Sequence, residues 1–176
     1  MKQAILVIDV QRALFDTVPP PYESDAVIER INAMCARGRA ANVPVFWIQH
    51  EDPKSLMFGS NGWTLHGGLE RASEDTVVSK KTPDAFHNTN LDSLLQQQKI
   101  ERIVVSGYAS EFCIDTSVRR AAALGYEVVI AADAHTTHDK AHASGEFIRQ
   151  HHNTTLSSIS SFGSKISAVP SSAVMF

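Results

Sequence analysis

Short runs of apolar residues, separated by longer segments with helical periodicity, limit the folds open to this chain most strongly. The first run covers residues 4–10 and is interrupted only by Asp9, and the others cover 45–48, 103–106 and 128–131. A continuous apolar run of strand length fits a strand that is buried on both faces of a parallel sheet. This alternation predicts an α/β fold, a single-domain three-layer α/β/α sandwich with a mainly parallel, doubly wound, Rossmann-like sheet.

Weaker patterns complete the expected order of elements. Two more extended segments are predicted at 76–79 and 165–169, and helices at 90–98, 112–124 and 141–152. An earlier helix is expected to begin with Ser24 as its N-cap and to end before Pro44. The stretch after residue 48 has no clear periodicity and holds His50, Trp63 and His66. A loop of that length suggests a functional role.

Length and charge narrow the classes of function. The chain has 176 residues, so we expect residues 1–176 to form one domain. Its net charge of -3 offers no basic surface for nucleic acid or anionic lipid, and no apolar run reaches membrane-spanning length. We therefore expect a small-molecule partner, no nucleic acid and no membrane. The absence of a signal-peptide pattern predicts a cytoplasmic protein whose two cysteines, Cys35 and Cys113, are free thiols.

Cys113 and Asp9 are candidates for chemistry by their placement alone. Cys113 follows a buried strand at the start of a predicted helix, where free N–H groups and the helix dipole would lower the pKa of a thiol. Asp9 ends an aliphatic strand, where a buried carboxylate is costly unless it is paired, hydrogen-bonded or functional. The structural alternatives are a small buried cysteine and an aspartate that caps a loop. Cys35 lies on an apolar helical stripe and is predicted to be core.

Four segments together resemble the cysteine hydrolase branch of the isochorismatase-like superfamily, and their order and spacing match as well. They are AILVIDVQ at 4–11, VVSKKTPDAFHNTNL at 77–91, VVSGYASEFCIDTSVRRAAALGYEV at 104–128 and AADAHTTHD at 131–139. The resemblance implies a catalytic triad of Asp9, Lys80 and Cys113. Spacing alone does not separate Lys80 from its neighbour Lys81, and it is the family motif that selects Lys80.

The resemblance also implies an oxyanion hole and a reaction. The backbone N–H groups of Ala109 and Cys113 would bind the oxyanion, and the peptide bond between Tyr108 and Ala109 would be cis. Asp9 would accept the thiol proton and return it to the departing amine, while Lys80 lowers the pKa of both acidic groups. The expected activity is hydrolysis of a C–N, amide-like bond of a small metabolite through a thioester on Cys113.

Three alternatives stay open. Isochorismatase itself cleaves a vinyl ether and lacks this cysteine, so an ether hydrolase is one alternative. A metal-assisted nicotinamidase is the second, and a non-enzymatic small-molecule binding or signalling module is the third. The nicotinamidase branch binds a metal through an Asp-x-His pair and another histidine, whereas this chain reads His50-Glu51-Asp52, with His66 further on. Because that order is reversed, we expect no metal and no cofactor.

Four aromatic residues are predicted to line an apolar substrate pocket, although such residues are also common in protein cores. They are Phe15, Trp63, Tyr108 and Phe112. The resemblance further implies a homodimer or a larger homo-oligomer.

Overall fold

The computed structural model describes residues 1–176, which form one parallel sheet with helices packed on it. The strands are β1 (Gln3–Ile8), β2 (Val45–His50), β3 (Thr76–Lys80), β4 (Arg102–Tyr108), β5 (Glu127–Thr136) and β6 (Ile166–Val169). Their order across the sheet is β3-β2-β1-β4-β5-β6. Every neighbouring pair is parallel. The predicted doubly wound α/β architecture is therefore confirmed.

Helices cover both faces of the sheet. They are α1 (Arg12–Phe15), α2 (Ser24–Ala40), α3 (Leu91–Gln97), α4 (Asp115–Ala123) and α5 (Gly145–Ser157), with a π-helical turn at Ser110–Ile114 and a 3₁₀ turn at Ser171–Ala173. Helices α1 and α2 contribute to the core on one face, and α3, α4 and α5 contribute to the core on the other. None of these helices combines the length and the apolar character needed to span a membrane.

Strand β1 shows why the first apolar run has no polar face. Ala4, Leu6 and Ile8 belong to the core on one side of the sheet, whereas Ile5 and Val7 belong to the core on the other side. Successive side chains of a strand point to opposite faces, so a central strand that is covered twice needs apolar residues throughout.

The helix starts differ from the sequence predictions. Ser24 is the first residue of α2 and not its cap, and Glu23 before it adopts a left-handed conformation without a side-chain cap. Helix α5 begins at Gly145 because residues 140–143 form a tight bridge instead of a helical turn. Ser144 caps α5 by accepting the N–H of Phe147. The segment predicted as one helix at 112–124 is a π-helical turn followed by α4.

The direction in which successive strands are added to the sheet reverses between β1 and β4. The site lies at this reversal. Gly107 of β4 has φ +117, and a Cβ atom there would lie 2.0 Å from the carbonyl oxygen of Ile8. Only glycine allows β4 to approach β1 so closely at its carboxyl end. Ligands of open α/β sheets bind at the carboxyl ends of the strands, beside such a reversal. Asp9 and the turn after β4 both lie there.

Candidate active site

Three strand ends bring Asp9, Lys80 and Cys113 together. Asp9 directly follows β1, Lys80 is the last residue of β3, and Cys113 lies in the π-helical turn after β4. The Nζ atom of Lys80 lies 2.7 Å from Oδ2 of Asp9 and 3.2 Å from Sγ of Cys113. The side chains of Lys80 and Asp9 are 0% and 2% exposed. The ammonium group is therefore enclosed between the carboxylate and the sulfur.

The two adjacent lysines have opposite environments. Lys80 points into the protein, whereas the side chain of Lys81 is 80% exposed and lies 3.9 Å from a carboxylate oxygen of Glu51. Successive residues of an extended segment face opposite sides, so only one of the two can enter the site. The structure brings Lys80 there, as the family motif implies.

Asp9 keeps one carboxylate oxygen free. Its Oδ2 atom contacts Lys80, whereas its Oδ1 atom is buried without a hydrogen-bond partner. A carboxylate oxygen of Asp9, a ring nitrogen of His50 and the sulfur of Cys113 lie within 4.8 Å of one another. The carboxylate does not bond the backbone N–H groups of a loop, so the capping role considered for Asp9 does not describe it. The free oxygen is an acceptor beside the thiol.

The environment of Cys113 contradicts the prediction of a lowered thiol pKa. Burial is the largest cause, and together with the negative charge of Asp9 it raises the pKa of Cys113 to about 12, although Lys80 acts in the opposite direction. Cys113 also lies in a π-helical turn before α4 and not at the N-terminus of that helix. These surroundings favour the neutral thiol, and proton transfer to a neighbouring group would form the thiolate.

The turn that carries Cys113 is held by Ala109. The carbonyl of Ala109 accepts hydrogen bonds from the N–H groups of Phe112 and Ile114, on either side of Cys113. Ala109 itself is 1% exposed, and its own N–H group has no acceptor in the chain. The peptide bond between Tyr108 and Ala109 is cis, as the resemblance implies. A buried N–H group without an acceptor in the chain is a donor available to a ligand.

Two residues that the sequence interpretation did not assign complete this site. His50, the last residue of β2, has its Nδ1 atom 3.0 Å from Nζ of Lys80. Gln11 is 0% exposed, and its amide nitrogen donates to the carbonyls of His50 and Trp63. The amide oxygen of Gln11 accepts the N–H of His50 at 2.9 Å. Gln11 lies two residues after Asp9, at the end of the segment at 4–11. A polar residue directly after an apolar run was the signal in the sequence that could have identified it.

A buried histidine, His135, holds the π-helical turn at Ser110–Ile114 in place. Asn153 donates to the carbonyl of Ala132, so its oxygen accepts a hydrogen bond from Nε2 of His135. Nδ1 of His135 is then an acceptor, and the hydroxyl of Ser110 donates to it at 2.8 Å. Burial lowers the pKa of His135 to about 4, so this ring is neutral. The hydrogen bonds tie the turn at Ser110 to β5 and α5.

The four aromatic residues predicted to line a pocket do not form one group. Phe15 is a core residue whose ring lies 5.8 Å from that of Tyr108, edge to face. Trp63 pairs with Phe58 at 4.7 Å. Phe112 is 54% exposed and lines a separate cavity of about 360 Å³. A cavity of about 440 Å³ borders the site and is lined by His50, Glu51, Asp52, Pro53, Phe58 and Lys81. Substrate contact by the four aromatic residues stays a prediction.

The residues that could form a nicotinamidase-type metal site are held apart. His50 contacts Lys80, and Oδ1 of Asp52 accepts two backbone N–H groups of its own loop. His66 accepts the N–H of Gly68 and lies 3.1 Å from a carboxylate oxygen of Asp16. These side chains do not converge on one point, so they do not fit such a metal.

A comparison with known proteins decides the family. The family model described as the isochorismatase domain matches residues 3–161. The chain belongs to the isochorismatase family. Among solved structures, the crystal structure of an isochorismatase family protein has a TM-score of 0.88 at 30% identity, covering 95% of this chain and 97% of that chain. Fold and sequence therefore point to the same family.

The relatives of this isochorismatase-family chain include enzymes with different names. It is 34% identical over 139 residues to a streptothricin hydrolase of Streptomyces noursei, which covers 78% of this chain and 50% of that protein. It is 28% identical over 189 residues to the ureidoacrylate amidohydrolase RutB of Pseudomonas syringae pv. syringae, with 84% and 74% covered. The chain thus spans about half the length of the streptothricin hydrolases that it matches.

Proposed function

We propose that this protein hydrolyses a C–N, amide-like bond of a small metabolite, with Cys113 as nucleophile, Asp9 as general base and acid, and Lys80 as the stabilising cation. The observation that carries the proposal is the buried ammonium of Lys80, 2.7 Å from Asp9 and 3.2 Å from Cys113. Nucleophile, base and cation are the groups that acyl transfer through a thioester requires. Two relatives named as a hydrolase and an amidohydrolase support the same type of reaction.

The first half of the proposed reaction releases the amine. Asp9 takes the thiol proton, and the sulfur of Cys113 bonds to the carbonyl carbon of the substrate. The N–H group of Ala109, which has no acceptor in the chain, and that of Cys113 would bind the resulting oxyanion. The protonated Asp9 then transfers its proton to the nitrogen, the C–N bond breaks, and an amine leaves a thioester behind.

The second half restores the thiol. Asp9 takes a proton from a water molecule, whose oxygen attacks the thioester carbon. The C–S bond breaks, the product leaves as a carboxylic acid, and the proton held by Asp9 returns to the sulfur. Both protons pass through Asp9, one from the thiol to the departing amine and one from water to the sulfur, so the three side chains return to their starting charges at the end of the cycle.

Proton transfer from Cys113 to Asp9 lets the reaction proceed although the pKa of the thiol is raised. Burial disfavours a free thiolate at rest. When the proton moves to Asp9, the negative charge moves from one neighbour of Lys80 to the other, and the ammonium stabilises both states. The thiolate is therefore favoured once Asp9 has taken its proton, and it can then attack a carbonyl carbon. Without that proton transfer, the thiolate is disfavoured.

The contact of Cys113 with Lys80 and its position within 4.8 Å of Asp9 favour C–N cleavage over the other candidate activities. A vinyl ether hydrolase does not use a thiol nucleophile, and a nicotinamidase-type metal is not matched by the positions of His50, Asp52 and His66. A binding module has no need for a buried acid, cation and thiol in contact.

A substrate screen tests the proposal. Small amides, imides, ureides, nicotinamide and a vinyl ether would be supplied to the protein, with release of ammonia or carboxylate as the readout. We expect turnover of at least one C–N substrate, loss of that turnover in Cys113→Ser, and a mass increase on Cys113 when a slowly hydrolysed substrate is used. Turnover of the vinyl ether alone, or full activity in Cys113→Ser, would overturn the proposed chemistry.

A further inference from the structure

His50 occupies the one strand end that separates Lys80 from the rest of the site. Strand β2 lies between β3 and β1, and His50 pairs with Lys80 in the register of β2 and β3. Lys80 must therefore extend across the end of β2 to reach Asp9, and it passes Nδ1 of His50 at 3.0 Å. Gln11 bonds both the N–H and the carbonyl of His50, so the backbone of this residue is fixed.

The hydrogen bonds of Lys80 define the state of His50. An ammonium has three N–H donors and no acceptor. Its neighbours are Oδ2 of Asp9 at 2.7 Å, Nδ1 of His50 at 3.0 Å, the carbonyl of Thr82 at 3.1 Å and the sulfur of Cys113 at 3.2 Å. Because Lys80 can only donate, Nδ1 of His50 has to accept, and the ring is neutral with its proton on Nε2.

We propose that His50 is a positioning residue that holds the Lys80 ammonium between Asp9 and Cys113 by accepting its hydrogen bond without adding charge. This role rests on the proposed function, because it concerns the same proton transfer. A neutral acceptor orients the ammonium and leaves its positive charge to the carboxylate and the thiolate. An anionic side chain at the same place would compete for that charge and disfavour the thiolate. Loss of this acceptor would leave the ammonium with Asp9, the carbonyl of Thr82 and the sulfur of Cys113, and would weaken its placement between the carboxylate and the sulfur.

Three substitutions of similar size separate these possibilities. His50→Asn places a neutral oxygen on Cγ, where His50 carries Nδ1. His50→Asp places a charged oxygen there, and His50→Leu places a methyl group that cannot accept a hydrogen bond. The probe is iodoacetamide at one fixed alkaline pH, and the readout is the rate of Cys113 alkylation by mass spectrometry, which needs no substrate. Thermal unfolding of each variant checks that the fold persists.

We expect His50→Asn to keep the alkylation rate within about threefold of the parent. His50→Leu should fall by about 10- to 100-fold, the range for losing a hydrogen bond to a charged group. His50→Asp should fall by about the same factor because its negative charge disfavours the thiolate. With an amide substrate, kcat should fall in parallel with little change in KM. A parental rate in His50→Leu, or an equal loss in the Asn and Asp variants, would refute the positioning role. If His50→Leu does not fold, the Asn and Asp variants alone decide, because they differ only in charge.

Failure of this inference can be told apart from failure of the proposed function. If Cys113→Ser abolishes amide turnover while His50→Leu leaves both the alkylation rate and kcat unchanged, only the role of His50 is wrong. If Cys113→Ser retains turnover while the three variants change the alkylation rate as expected, His50 still orients Lys80 but the nucleophile assignment is wrong.

Discussion

Replacing Lys80 by methionine should destabilise the fold as well as stop the reaction. Methionine keeps most of the length of the side chain and removes the charge. At the observed 2.7 Å from Asp9, the attraction is about 6 kcal/mol at an effective dielectric constant of roughly 20. The cost of burying both charges offsets part of this, so removing one partner of such a pair costs about 3 to 5 kcal/mol. We expect Lys80→Met to lose that much of its free energy of unfolding.

Two matched variants identify the origin of this loss. Lys81→Met changes a side chain that is 80% exposed, so we expect a change within about 0.5 kcal/mol. The double variant Asp9→Asn with Lys80→Met removes both charges and should regain at least half of the loss, because no unpaired charge is then buried.

Urea unfolding followed by circular dichroism measures all three variants, and iodoacetamide labelling of Cys113 reports on the site. Because Lys80 lowers the pKa of Cys113, labelling should slow in Lys80→Met and stay parental in Lys81→Met. A loss below about 1 kcal/mol in Lys80→Met, or equal losses in the two single variants, would show that the pair of Asp9 and Lys80 is not the buried, charged pair described above.

Three further predictions follow from the same geometry. Cys113→Ala and Cys113→Ser should abolish turnover with a change in unfolding free energy of about 1 kcal/mol or less, and peptide mapping should find Cys113 alkylated before Cys35, which is 0% exposed. Activity should survive dialysis against a strong chelator, and a loss that added zinc restores would contradict this. His135 is neutral when folded, with a pKa of about 4 against about 6.5 unfolded, so its contribution to stability is present above pH 6.5 and is lost as the pH falls through 4. Urea unfolding across that range should show a loss of about 3 kcal/mol, which His135→Gln removes.

Much of the fold was predictable because burial on both faces leaves a clear pattern. Strand β1 has to be apolar throughout, and the same holds for the apolar stretches in β2, β4 and β5. Helix ends were less predictable, because α5 starts only after residues 140–143 have formed a bridge. That bridge depends on local backbone hydrogen bonds that the apolar periodicity of the segment does not reveal.

The residues of the site were predictable from strand ends and from the family motif, but their protonation was not. The sequence placed Cys113 at a helix start, where a lowered pKa is expected. The structure partly buries it in a π-helical turn near Asp9, and this raises the pKa. The sign of such a shift depends on how deeply the tertiary structure encloses the group, and segment-level patterns do not carry that information.

The place of His50 could have been inferred once the strand order was known. Lys80 leaves β3, its partner Asp9 leaves β1, and β2 separates the two strands. The residue that ends β2 must therefore either block the lysine side chain or contact it. Because the Lys80 ammonium passes that residue at 3.0 Å and can only donate hydrogen bonds, a neutral acceptor suits this position. His50 meets this requirement as a neutral group, so the strand order of the fold determines which side chain supports the cation.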